Sequence, residues 1–166
     1  MIGRGLLVFI PIEQIDQQLI KDFFETNWGS TTMVTSFGST DCSRLDGFVF
    51  LFDGEIKGIV TFKISGETCE IVSLDSRKEK KGIGTRLLQA AEKEAARQGC
   101  MKTSLITTND NIHTLSFYQK RGYQCVKVIP DAVKEARAIK PEIPLVNPDN
   151  RIPIRDEFLF EKRMEL

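Results

Sequence analysis

Gly82 and Gly84 stand one residue apart at the mouth of a helix-patterned stretch, with Arg77, Lys78, Lys80, Lys81 and Arg86 around them. Without Cβ atoms the backbone can approach a phosphate, and the first N–H groups of a helix have no acceptor inside it. The nearby cations raise the local positive potential. The pattern reads as an anion site; the competing reading is a solvated, charged loop. The nucleotide P-loop requires Gly-Lys-Ser/Thr, and no Gly-Lys dipeptide occurs in the chain. The dinucleotide fingerprint requires a third glycine where Leu87 stands. Coenzyme A, with its pyrophosphate, is the large class that remains.

Other chemistries find little support. The single histidine, His113, falls in the first turn of a helix and reads as a surface residue, and with one histidine and no Gly-x-Ser-x-Gly a hydrolase triad has little support. Cys42, Cys69, Cys100 and Cys125 form no Cys-x-x-Cys pair. That spacing suits neither zinc nor a secreted disulfide framework, so reduced thiols in a cytoplasm are expected, with no metal. Equal numbers of acidic and basic residues, 23 each, argue against a general nucleic-acid binder. The apolar run Leu6 to Ile12 is too short to span a membrane and reads as an edge strand.

The elements that position these residues can be read from periodicity. At 166 residues, a single domain over 1–166 is expected. A strand at 6–10 precedes an amphipathic helix carrying Ile12, Ile15, Leu19, Phe23 and Phe24. Met33 to Phe37 reads as one short strand. Strands at 48–52 and 56–64 flank Asp53-Gly54, a type I′ hairpin turn, and a third strand follows at 68–74. A helix from Ile83 buries Leu87, Leu88, Ala91 and Ala95, stops at Gly99, and leads to a strand at 103–107. Strand, helix, strand requires a crossover, which makes the strands at 68–74 and 103–107 parallel neighbours. A helix over 112–121, a strand at 123–129, a short helix over 131–139, a proline-rich excursion and a last strand at 157–164 complete the chain. The fold class is mixed α/β: a mixed sheet with helices packed on it.

Two motifs give a specific resemblance. Glu79-Lys80-Lys81-Gly82-Ile83-Gly84 is similar to the Gln/Arg-x-x-Gly-x-Gly/Ala loop of the GNAT superfamily of N-acetyltransferases, with Glu79 departing from the leading Gln/Arg. Asn111, Thr114, Phe117, Tyr118, Gly122 and Tyr123 resemble that family's Asn-x-x-Ala-x-x-Phe-Tyr-x-x-x-Gly-Phe helix. The resemblance implies a central, mostly antiparallel sheet in which one parallel pair splays apart to admit the pantetheine arm of acetyl-coenzyme A.

It also implies roles. Leu74, Ser76, Lys80, Lys81, Gly82, Ile83, Gly84, Thr85 and Asn111 would hold the cofactor. Tyr118 would protonate the departing thiolate, and Glu70 would take the proton of the attacking amine. A backbone N–H of the same strand could stabilise the oxyanion. The acceptor would be a small-molecule or peptide amine, selected by Trp28 to Phe37 and by Arg155, Asp156 and Glu157 in the excursion. No nucleic acid or membrane partner is implied, and sheet-edge pairing would allow a homodimer. The alternative is a coenzyme A-binding regulatory domain without catalysis.

Overall fold

A computed structural model describes residues 7–77 and 82–165. β1 (Leu7–Pro11), β4 (Asp46–Phe52), β5 (Glu55–Ser65), β6 (Thr68–Ser76), β7 (Lys102–Thr108), β8 (Gln124–Ile129) and β9 (Glu157–Arg163) form one sheet, in the order β1-β4-β5-β6-β7-β9-β8. Every pairing is antiparallel except β6 with β7. A separate hairpin joins β2 (Thr32–Thr35) to β3 (Gly38–Asp41). Among the described residues no helix is long and apolar enough to cross a membrane.

Two apolar clusters lie on opposite faces of the sheet. α2 (Ile83–Arg97) buries Ile83, Leu87, Leu88, Ala91 and Ala95 against Phe50, Val60, Phe62 and Ile71. Gly58 makes that approach close: a Cβ there would lie 2.8 Å from Ile83 Cγ2 and 2.9 Å from Leu87 Cδ1. Tyr118, from α3 (Ile112–Gln119), joins the same cluster. On the other face α1 (Gln17–Trp28) packs Ile20, Phe23 and Phe24 on Val49, Ile56 and Ile59. α4 (Ala132–Ile139) buries Ala132, Val133 and Ala136.

The parallel pair, the Asp53-Gly54 turn and the α2 face agree with the sequence reading. Asp53 and Gly54 both take positive φ, 51° and 78°. Two segments differ from it. α1 starts at Gln17 rather than Ile12, because Asp16 caps it by accepting the Gln18 N–H at 2.7 Å, and Ile12–Gln14 forms a 3-10 turn instead. That start sets the helix phase so that Ile20 is buried while Leu19 is 46% exposed. The Met33 to Phe37 run is a strand only as far as Thr35; the chain then turns at Ser36-Phe37 and returns as β3 from Gly38, where φ is 128°.

Candidate active site

β6 and β7 run parallel, yet their ladder holds only Thr68 to Glu70 against Lys102 to Ser104. Beyond that point β6 stays paired with β5 as far as Ser76, and β7 stays paired with β9 as far as Thr108. The two strands part, and the gap opens into a cavity of about 830 Å³.

Leu74 and Ser76 line the cavity from β6, Gly82, Gly84 and Thr85 from the start of α2, and Asn111, Phe117 and Tyr118 from α3. Gly82 caps α2 in the left-handed region, φ 68°, and contributes no side-chain bond to the first-turn N–H groups. A Cβ on Gly84 would meet only Phe117 at 3.5 Å and Ser76 at 4.0 Å, so the bare backbone here is not required by packing. Ile83 turns its side chain into the core, 5% exposed. Asn111 Oδ1 caps α3, accepting the Thr114 N–H at 3.3 Å. Lys80 and Lys81 lie outside the described residues. Of the loop's other cations, Arg77 lays its guanidinium over the Phe23 ring at 5.2 Å and Arg86 over Phe50 at 4.9 Å.

Tyr118 is 5% exposed, edge-on to Phe117 and Tyr123. Burial, followed by the proximity of Tyr123 and Asp75, raises its phenol above the ordinary range, so the group is neutral and carries its proton. Glu70 occupies the closed end of the parallel pair, opposite Ser104, and its carboxylate lies 3.5 Å from Lys63 Nζ. It lines a second, smaller cavity of about 300 Å³, whose walls share Met33, Thr35, Ile71, Val72 and Ile106 with the large one. Tyr118 and Glu70 thus face two adjoining spaces.

The sequence reading missed Asp75. Thr61 pairs with Ser73 and Phe62 with Ile71, so Val72 is an extra residue that bulges from β6. Before the bulge Cys69 and Ile71 face α2; after it Leu74 faces α2, and Asp75 points to the α1 side, where Trp28 Nε1 donates to its Oδ1 at 3.3 Å. Simple alternation from Ile71 would place Asp75 on the opposite face. Its Oδ2 and the Ser76 hydroxyl are buried without hydrogen-bond partners. Burial pushes the Asp75 carboxyl up to about 6, partly offset by the Trp28 bond.

Trp28, Met33, Thr35 and Glu157 close the cavity on the α1 side. The proline-rich excursion is tied beside it by two consecutive side chains. Asn109 donates to Pro153 O at 2.9 Å and accepts the N–H groups of Arg155 and Asp156, both at 3.0 Å. Asp110 accepts from Asn147 Nδ2 at 2.9 Å, and its backbone carbonyl accepts from Asn150 at 2.8 Å. Arg155 and Asp156 are therefore spent on a local ion pair and on this tie, while Glu157 reaches the cavity wall.

Comparison with known proteins agrees with this geometry. The family model described as "Acetyltransferase (GNAT) family" matches residues 15–123. The uncharacterized protein YdhI of Bacillus subtilis is 49% identical over 158 residues, spanning 95% of this chain and 98% of the relative. Among solved structures, a Bacillus subtilis acetyltransferase in complex with CoA superposes with a TM-score of 0.67 at 21% identity, covering 96% of this chain and 100% of that one. An IAA acetyltransferase from Bacillus cereus gives 0.66 at 22% identity, covering 96% and 99%. The match spans more than half of this chain, which therefore belongs to the GNAT family of acetyltransferases.

Proposed function

We propose that the protein transfers an acetyl group from acetyl-coenzyme A to a primary amine by direct attack in a ternary complex. The observation that carries this reading is the parting of β6 from β7 beside the glycine start of α2, with Tyr118 on the wall of the gap. The CoA complex of the Bacillus subtilis neighbour supports the choice of ligand. The β6 edge at Leu74 and Ser76 would hold the pantetheine arm. Gly82 to Thr85, with Lys80 and Lys81, would hold the pyrophosphate, and Asn111 would add a polar contact. The thioester supplies an activated acetyl carbon and a thiolate leaving group.

The chain's own groups handle the protons. Tyr118 is neutral and buried, so it meets the departing sulfur as a hydrogen-bond donor; burial makes it a weak acid, and it would give up its proton only as the strongly basic thiolate forms. Glu70 would take the amine's proton through water from the adjoining cavity. A β6 backbone N–H freed by the parting would stabilise the oxyanion. The acceptor enters from the α1 side, between Trp28, the β2–β3 hairpin and Glu157. All four cysteines are free thiols, which fits a reducing compartment such as the cytoplasm.

The test is thermal unfolding with ligands, followed by turnover. Acetyl-coenzyme A raises the melting temperature by mass action, and NAD and ATP do so much less. Gly84→Val removes the shift and leaves the fold intact, since a Cβ at that position meets only ordinary contacts. Thiol release with a panel of primary amines then reports transfer. Equal shifts from ATP would overturn the ligand, and binding without any thiol release would point to the non-catalytic alternative.

A further inference from the structure

Asp75 is a half-buried carboxylate on the cavity wall, its Oδ2 sealed from solvent, that the transfer chemistry above does not use. Trp28 Nε1 satisfies its Oδ1, and its Oδ2 has no partner. Among the described residues no Lys or Arg neutralises it. Arg77 is laid over Phe23, and Arg121, on the cavity's far side, is held by Thr85 at 2.6 Å and by the Phe117 ring at 3.6 Å. Glu157, the fully buried carboxylate of the wall, accepts hydrogen bonds from the Ser36 backbone and hydroxyl. A buried carboxylate without a counter-ion is costly, and what would complete it is a cation. Trp28 adds an aromatic side chain, which attracts a cation placed over its face.

The nitrogen that attacks the thioester must be neutral. A carboxylate paired with an ammonium favours its charged form and so keeps the proton in place. Asp75 is therefore suited to a charge that persists through the reaction. We propose that Asp75 anchors a second positive charge of the acceptor, so that the acceptor is a compact molecule with two cationic nitrogens, one acetylated and one held. This rests on the acetyl-transfer reading above and names its substrate class.

The probes are diaminopropane, diaminobutane and diaminopentane, compared with butylamine. With coenzyme A present, at least one diamine raises the melting temperature of the wild-type protein well beyond butylamine at equal concentration, and Asp75→Asn abolishes the difference. In turnover, kcat/KM for that diamine exceeds that for butylamine by about tenfold or more, as one charge-assisted hydrogen bond allows. The advantage lies in KM, and the ratio falls toward one in Asp75→Asn. A retained melting shift with acetyl-coenzyme A shows that the variant is folded. An Asp75→Asn protein that keeps the diamine preference, or a wild-type protein indifferent to the second charge, overturns the proposal. Should no amine be acetylated, the transfer reading fails, and the melting comparison still decides the role of Asp75.

Discussion

Glu157 on β9 accepts the backbone N–H of Ser36 at 3.0 Å and its hydroxyl at 2.5 Å, joining the tip of the β2–β3 hairpin to the central sheet across 121 residues of sequence. The carboxylate is buried at 2% exposure, so these bonds replace water rather than compete with it. Glutamine keeps the shape but turns one end into a donor facing donors. Glu157→Gln loses about 1 to 3 kcal/mol of stability, read by urea unfolding. Glu157→Asp, too short to reach both groups, fails the same way, and a variant of full stability would show that the hairpin is held by packing alone.

Tyr118→Phe lowers kcat on the order of a hundredfold, with acetyl-coenzyme A affinity nearly unchanged. Only the hydroxyl is lost; the edge-on contacts with Phe117 and Tyr123 remain. Full turnover in the phenylalanine variant would leave Tyr118 with packing as its whole task.

Glu70→Gln changes the pH–rate profile. Activity falls most at low pH and recovers in part as pH rises, because the medium then supplies free amine. The Lys63 contact makes a control available: Lys63→Met removes the 3.5 Å ion pair and leaves the carboxylate in place. A profile of unaltered shape and height in Glu70→Gln would remove the residue from the proton path.

Asp75 makes stability depend on pH in an uncommon direction. Its folded carboxyl titrates at about 6 against an ordinary 3.8, so between those values the native state binds more protons than the unfolded chain. Its contribution is favourable below the unfolded value and is lost as pH rises through about 6. The loss amounts to about 3 kcal/mol when complete. Asp75→Asn therefore raises stability at neutral pH and flattens the profile between pH 4 and 6, measured by denaturant titration across that range. An asparagine variant less stable than wild type at neutral pH would show that the Trp28 bond outweighs the burial cost.

Much of this architecture is legible in residue order, because α2 and α3 obey local rules. The apolar face from Leu87 to Ala95 is a strict helical stripe, and both glycine turns sit where a left-handed residue is needed. The residues that would hold the cofactor are therefore found from motif and period. Those that would face the acceptor depend on long-range events. Asp75 comes under Trp28 only because Val72 bulges, and a bulge leaves no mark in an alternating pattern. Asn109 and Asp110 stand just before a helix-patterned stretch, and nothing local marks their partners, which lie 37 to 47 residues further on. Glu157 reads as the start of the last strand and a candidate acceptor contact; its bond to Ser36 shows only once the hairpin tip is placed against it.

The tie made by Asn109 and Asp110 bears on how such enzymes diversify. The excursion is fastened by adjacent side chains on the turn between β7 and α3, while the residues that would grip the cofactor stand on β6, α2 and the far side of the same turn. Changes in the excursion can thus proceed without disturbing the residues that would grip the cofactor, provided Asn109, Asp110 and Arg137, which donates to the carbonyls of Ile143, Pro144 and Ile154, are kept. A chimera exchanging residues 140–156 between relatives would need those three residues transplanted with it, and its turnover would read whether the segment carries the choice of acceptor.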